Sequence, residues 1–398
     1  MSRRQGKVAF VPARYGDRIV GGAEIVLRHM AFGLQKRGWD VEILTTTALD
    51  HHTWKNETEP GVTVEDGMPV RRFTVDGDAL PERGALEHRI LTGDPLTISE
   101  QQRWMNSGMR APDLYHYILD SSDEYRAFVF TPYPFWVTFA CSQIVPHKSV
   151  LWTCLHDEPY AYLELFQPVF TGSAGLLFQS DPEQDLAERI TSKLAPHKVV
   201  GCGVEVPASY DPEGFRERYG IEGRFLLYAG RREGAKGWDE LLEILADIDA
   251  RGQFPFTLVT MGGGEVRPPA GFEGKVIDVG FLDDDERDNA FAAADAYIQP
   301  SRFEAFSRTI MEAWLAGTPV IANGGSDVVK WHCERSGAGL TYDDALELEE
   351  ALRFVAEAPE EAAALAVSGR EYVLSHYQWE TVLDAVEAQI EAWTGVDA

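Results

Sequence analysis

Positive charge is scarce in this sequence. Its 398 residues carry 36 Lys and Arg against 64 Asp and Glu, a formal charge of −28, and only 9 of the basic residues are Lys. A surface this negative repels nucleic acid and anionic lipid at long range, which argues against a nucleic-acid partner and leaves at most peripheral membrane contact. An anionic ligand must then be held by a local cluster of cations. Acid-rich, Lys-poor composition fits a high-salt host and a G+C-rich genome equally. Cysteine is sparse as well. Cys141, Cys154, Cys202 and Cys333 are scattered with no Cys-x-x-Cys pair, against both a disulfide framework and a cysteine zinc site. No apolar run nears the roughly 18 residues that a membrane span needs. The opening MSRRQGKVAFVPARYG holds only a short apolar run at 8–12, too short for a secretory signal, so a cytoplasmic protein is expected.

Common signatures are missing too. The first strand is not followed by Gly-x-Gly-x-x-Gly, and MGGGEV at 261–266 lacks the third glycine. An NAD-dependent oxidoreductase is therefore disfavoured. GRREGAKG at 230–237 has Ala235 and Gly237 where a Walker loop needs Gly and Ser or Thr. Gly-Ser-Ala-Gly at 172–175 is one residue short of a nucleophile elbow. Asp76-Gly77-Asp78 reads as a turn after a strand rather than a metal–nucleotide site. Asp283-Asp284-Asp285 reads as a helix N-cap before Glu286. No metal site is expected.

What is present is a steady alternation. With 44% hydrophobic and 11% aromatic residues over this length, the chain can fill two ordinary cores. Short apolar strands alternate with amphipathic helices, the pattern of parallel α/β domains. A strand at 7–11 precedes a helix from Ala23 with Leu27, Met30, Ala31 and Leu34 at i, i+3, i+4 and i+7. Gly38 stops that helix, and further strands are predicted at 41–45, 70–75, 127–130, 149–153 and 174–178. Residues 80–122 form an irregular, helical insertion around Trp104 and Met105. A Gly- and Pro-dense seam, GCGVEVPASYDP at 201–212, reads as a hinge. Strands at 225–229, 256–260, 276–279, 296–299 and 320–322 follow it. This predicts an α/β chain of two Rossmann-like, doubly wound domains. The boundaries fall at 1–205, 206–377 and 378–398. Ligands of such sheets bind at the carboxyl ends of the strands, so a cleft between the domains is the expected site.

Three segments fit one chemical task. In YAGRREGAKG a strand ends at Gly230 and presents Arg231 and, five residues on, Lys236. A guanidinium and an ammonium beside a glycine turn can grip a diphosphate. In PSRFEAFSRTIMEAWLAGTPVIA at 300–322, a strand ends at Pro300 and a loop carries Glu304. A helix begins near Ser307–Thr309 and carries Glu312. Free N–H groups at that helix start suit phosphate oxygens, and Glu312 suits ribose hydroxyls. In GGAE at 21–24, Gly21 and Gly22 open the first long helix and permit close backbone approach.

These blocks together resemble the GT-B glycosyltransferases, specifically the retaining family 4 enzymes (glycosyl transferases group 1). The resemblance runs through GGAEIVLRHMAFGLQKRGWDVEILTT, LWTCLHDEP, GCGVE, YAGRREGAKG, MGGGE, the Glu304-x7-Glu312 block with AGTPVIA, and HYQWETVLDAV. It implies that the first domain binds acceptor, the second binds donor and the last helix packs back on the first. It implies also that Arg231 and Lys236 hold the donor diphosphate, Glu304 contacts the donor sugar and Glu312 the ribose. His156 of LHDEP would lie beside the transferred sugar. Gly21, Gly22, Gly230, Gly264, Phe281, Ser307, Arg308 and Thr309 would complete donor binding. The implied reaction is retaining, metal-independent transfer of a hexosyl group from a nucleotide-diphosphate sugar, UDP- or GDP-linked, to a carbohydrate, lipid-linked or small-molecule hydroxyl. No cofactor is expected. A catalytically impaired nucleotide-sugar binder, or a GT-B phosphorylase or epimerase, is the alternative. One departure stands out, because the family block has glycine at Ser307 and an aliphatic residue at Arg308. Arg308 would either add a third cation to the diphosphate or point to solvent.

Overall fold

The computed structural model describes residues 6–16, 19, 21–77 and 81–395. It divides into two units, Met1–Gly203 with Trp379–Ala398, and Val204–Gln378. Asp78 of the Asp-Gly-Asp turn lies outside the described residues. Asp76 pairs through its backbone and carboxylate with Arg110, as a structural turn would.

The first unit is built on eight strands: β1 (Lys7–Pro12), β2 (Asp40–Thr46), β3 (Gly61–Glu65), β4 (Met68–Phe73), β5 (Tyr125–Thr131), β6 (Ser149–Trp152), β7 (Gly175–Phe178) and β8 (His197–Val199). Their order is β3-β4-β2-β1-β5-β6-β7-β8, parallel except for the β3–β4 hairpin. Central strands buried on both faces read as unbroken apolar runs. Val8 to Val11 and Ala127 to Phe130 are accordingly all fully buried. The insertion forms helices Glu82–Thr92, Ile98–Asn106 and Pro112–Ser121. Leu86, Ile90, Trp104 and Met105 from it share a core with Leu155, Ala161 and Leu165.

The last helix, Trp379–Trp393, belongs to this unit. It is seated over notches left by glycines. A Cβ at Gly33 would lie 2.4 Å from Leu383, and one at Gly175 would lie 1.9 Å from Trp393. Arg37 binds Glu380 at 2.6 Å, Asp384 at 2.7 Å and Glu387 at 3.1 Å, and the Trp39 indole donates to Glu387 at 2.9 Å.

The second unit has six parallel strands: β9 (Phe225–Ala229), β10 (Thr257–Met261), β11 (Val276–Gly280), β12 (Ala296–Gln299), β13 (Val320–Asn323) and β14 (Gly339–Tyr342). Their order is β11-β10-β9-β12-β13-β14. The chain therefore winds outward in both directions from the β9/β12 pair, and the loops leaving those two strands diverge at their carboxyl ends. This is a topological switch point, where an open α/β sheet leaves a crevice for ligand. Among the described residues no helix is long and apolar enough to cross a membrane. Among the same described residues, no group of three or more His, Cys, Asp and Glu is placed to hold a metal ion.

His332, in the helix Asp327–Ser336, is fully buried. Its ring packs edge-on against Phe306, and its Nδ1 meets the Tyr372 hydroxyl at 2.9 Å. Burial pushes its pKa down to about 3. The unfolded chain takes up this proton near pH 6.5, so stability falls as pH drops from about 6.5 towards 3. His332→Phe keeps an aromatic ring, and the Tyr372 hydroxyl keeps Tyr377 as a partner at 2.8 Å. The expected outcome is a smaller loss of melting temperature from pH 7 to pH 4.5 in the variant than in the parent. Equal losses would show that His332 does not titrate on unfolding.

Candidate functional site

The site in the second unit is assembled from four strand ends. Leaving β9, Gly230 leads to Arg231 and Arg232, a 3-10 turn at Gly234–Lys236, and Gly237. Gly237 has φ +71, and a Cβ there would lie 2.5 Å from the Pro300 carbonyl oxygen, so the β9 loop presses directly on the β12 loop. Leaving β10, Gly262 would place a Cβ 2.2 Å from the Gly230 carbonyl oxygen, and Gly264 would place one 2.9 Å from Arg232 Cβ. These glycines are needed because three loops are stacked backbone to backbone. Phe281 follows β11 and stands 64% exposed, an unburied ring at the rim of the same strand ends.

The two arginines of the β9 loop part ways. Arg232 turns inward, is 8% exposed, pairs with Asp278, and donates to Thr260 Oγ1 at 3.1 Å and to the Gly264 carbonyl at 2.8 Å. It ties the β9, β10 and β11 ends together. Arg231 turns outward, half exposed, with Glu233 at 3.3 Å. Its carbonyl accepts from the buried Tyr228 hydroxyl at 2.7 Å, which fixes its backbone while leaving the guanidinium at the surface. Lys236 reaches Glu304 at 2.8 Å, so the β9 and β12 loops meet through two of the residues singled out from sequence.

The helix after β12 spans Arg308–Ala316. Ser307 is its N-cap, in the left-handed region at φ 63, and no side chain caps the first turn. The Ser307 hydroxyl accepts from Gln299 Nε2 at 2.7 Å, and Thr309 Oγ1 accepts from the Tyr297 hydroxyl at 2.8 Å. Both hydroxyls are thus engaged with β12. The N–H groups of the first turn carry the positive end of the helix dipole. Arg308 is mostly withdrawn from solvent, its side chain 17% exposed. It folds back one turn onto Glu312, 3.3 Å away, because i and i+4 share a face. Arg287, from the helix Asp284–Ala293, approaches the same oxygen at 3.7 Å. Asp283 caps that helix by accepting from the Glu286 N–H at 2.9 Å, which accounts for the run of three aspartates.

In the first unit, His156 follows β6 on a loop held by one buried carboxylate. Glu183 Oε1 accepts from Thr153 Oγ1 at 2.6 Å and the Leu155 N–H at 2.7 Å, and Oε2 accepts from the Gln179 N–H at 2.5 Å. Burial pushes the Glu183 pKa up to about 7 against these hydrogen bonds. His156 itself is partly exposed, with Nδ1 3.8 Å from Glu158. The loop beyond is buttressed by the insertion, through Trp104 stacked on Tyr160 and the Tyr160 hydroxyl donating to Glu87 at 3.0 Å. Sequence reasoning missed Glu183 and Arg232, since most of their partners lie 28 or more residues away. In GGAE, Glu24 is paired with the buried Arg14 and packs against Gly21, where a Cβ would fall 2.0 Å from Oε2. A Cβ at Gly22 would meet nothing within 4 Å.

Residues 223–357 match the family model described as glycosyl transferases group 1. An uncharacterized glycosyltransferase of Methanocaldococcus jannaschii is 24% identical over 80% of each chain. The D-inositol 3-phosphate glycosyltransferase of Jonesia denitrificans is 28% identical over 78% of this chain and 76% of that one. Among solved structures, sucrose-phosphate synthase from Thermosynechococcus elongatus superposes with TM-score 0.73 at 17% identity over 98% of this chain and 99% of that one. HepE from Anabaena, in complex with UDP-glucose, superposes with TM-score 0.70 at 19% identity over 98% of this chain and all of that one. With its two Rossmann-like sheets, this chain is a glycosyltransferase of the GT-B fold. The match to the group 1 model falls within its second unit.

Two outcomes are expected from the first unit. Glu183→Ala strands three donors and should cost about 2–4 kcal/mol in denaturant unfolding, and an unchanged midpoint would remove its structural role. Gly22→Ala should leave the melting temperature within about 2 °C, there being no clash or positive φ to strain. If a ligand approaches that backbone, transfer falls at least several-fold, whereas full activity would show that none does.

Proposed function

We propose that the chain transfers a hexosyl group from a nucleotide-diphosphate sugar, UDP- or GDP-linked, to a hydroxyl of a glycan, glycolipid or small molecule. Transfer would retain anomeric configuration and need neither metal nor cofactor. The observation that carries this reading is the convergence, at the β9/β12 switch point, of Arg231, Lys236 and an N-terminal helix turn that no side chain caps. Support also comes from the GT-B likeness to HepE, whose structure contains UDP-glucose.

The hard step is cleavage of the anomeric C–O bond as negative charge builds on the departing diphosphate. Arg231 and Lys236, with the N–H groups at Ser307–Thr309, would stabilise that charge more in the transition state than in the ground state. The acceptor hydroxyl would attack from the leaving-group face and pass its proton to a donor phosphate oxygen, so no separate base is required. Glu304, already on Lys236, would orient both that ammonium and the sugar hydroxyls. Glu312 would take the ribose. On this reading His156, Gly21 and Gly22 serve the same reaction from the first unit, with His156 at the sugar.

Melting temperatures with UDP, GDP and ADP test the donor site. A ligand at about 100 times its dissociation constant stabilises the fold by roughly 2.7 kcal/mol. A shift with one of them, abolished in Arg231→Ala, is expected. In transfer assays Arg231→Ala and Lys236→Ala should each lose on the order of 10²-fold. Near-normal turnover of both would refute the reading, and binding without any transfer would favour an impaired nucleotide-sugar binder.

A further inference from the structure

Beside the proposed phosphate contacts lies a small pocket lined by Glu205, Arg287, Asp288, Arg308 and Glu312. Glu205 is exposed at its edge, while the Arg308 side chain is 17% exposed and that of Glu312 10%. Arg287 is anchored by its own helix, to Asp284 at 2.6 Å and Asp288 at 3.5 Å. Arg308 has no such anchor. Among the described residues Glu312 is the only hydrogen-bond or ion-pair partner of its guanidinium. The Nε atoms of both arginines are buried with no partner. Burial of this kind is a poor way to gain stability, because apolar residues of similar size would do as well or better. The close approaches of the two guanidiniums to Glu312, 3.3 Å from Arg308 and 3.7 Å from Arg287, are both to Oε1.

We propose that Arg308 is a positioning residue that clamps Glu312 through Oε1, leaving Oε2 for the ribose hydroxyls, and so sets a preference for ribo- over 2′-deoxyribonucleoside diphosphates. This deepens the donor-site reading and rests on it. Two guanidiniums on one oxygen fix the carboxylate's rotamer, so it meets the hydroxyls preorganised rather than having to be ordered on binding. An aliphatic residue at 308 would leave the carboxylate free to turn towards Arg287 alone. The diphosphate is served by Arg231, Lys236 and the helix N–H groups, none of which depends on this clamp.

The test is calorimetric titration of UDP and 2′-deoxy-UDP, with the guanine pair alongside, into the full chain and its Arg308→Leu, Arg308→Gln, Arg308→Lys and Glu312→Ala variants. The parent is expected to prefer the ribonucleotide by on the order of tenfold, the scale of one hydrogen bond to a charged group. Glu312→Ala, Arg308→Leu and Arg308→Gln should each bring that ratio below about threefold, by weakening the ribonucleotide more than the deoxynucleotide, which keeps only its 3′-hydroxyl. Lysine should restore part of the ratio. If Arg308→Leu weakens both ligands equally, Arg308 is a diphosphate cation and the clamp is wrong. A ratio untouched by loss of Arg308 also refutes it, the pair then being merely structural. A parent that binds both equally, with Glu312→Ala unchanged, overturns the ribose role of Glu312 and the clamp with it. A parent that binds no nucleoside diphosphate overturns the donor reading itself.

Discussion

The pairing of cations with carboxylates governs this molecule. A chain of net charge −28 cannot leave bare guanidiniums and ammoniums waiting at a ligand site, because surplus carboxylates are always within reach. At the ends of the second sheet the pairs are Lys236 with Glu304, Arg231 with Glu233, Arg308 with Glu312, and Arg232 with Asp278. They divide by exposure. Arg232 is withdrawn into the loop stack and acts as mortar. Arg231 stays half exposed on a pair of the kind that solvent makes weak, worth about 0–1 kcal/mol. A diphosphate bearing two or more charges outcompetes such a partner at little cost. The cations best suited to bind a ligand are thus those whose present partners hold them least.

Strand order then decides where these pairs can be. With β9 and β12 adjacent and the chain winding away on either side, only the loops after these two strands diverge without a crossover helix closing the gap. Arg231 and Lys236 leave one strand, Glu304 and the helix carrying Glu312 leave the other. The contact of Gly237 with the Pro300 carbonyl makes the separation of the two loops a matter of backbone packing. A site set by packed backbone is stiffer than one set by side chains, which suits electrostatic stabilisation that must not be reorganised during reaction.

Much of this arrangement was legible in the sequence, and the limits of that legibility are physical. Arg231, Lys236, Glu304 and Glu312 stood out because glycines and a proline mark where strands stop, and strand ends are where ligands of such sheets bind. The insertion was legible as irregular and helical, but not as the buttress of the His156 loop, which needs Tyr160 to meet Trp104 across 56 residues. Glu183 was invisible for the same reason. An acidic residue in a helix DPEQDLAERI looks solvated, and only the fold brings Thr153 and Leu155 onto it. Arg287 lies 25 positions before Glu312, so a charge shared between two helices left no local pattern to read.

Ser307 shows how a departure from the family block can be accommodated. Glycine suits that position because the chain must enter the left-handed region there to turn from loop into helix, and a Cβ in that region costs roughly 1–2 kcal/mol. Serine meets the cost with a buried hydrogen bond from Gln299 Nε2, a contribution of about 1 kcal/mol. That amide belongs to β12 and also reaches Thr309 Oγ1 at 3.3 Å. The strand end therefore holds both residues flanking Arg308. The Arg308 backbone is fixed from either side, and its side chain is left one direction in which to find a partner, down the helix to Glu312. The two oddities of the block are coupled: the serine that replaces a flexible residue is part of what aims the arginine beside it.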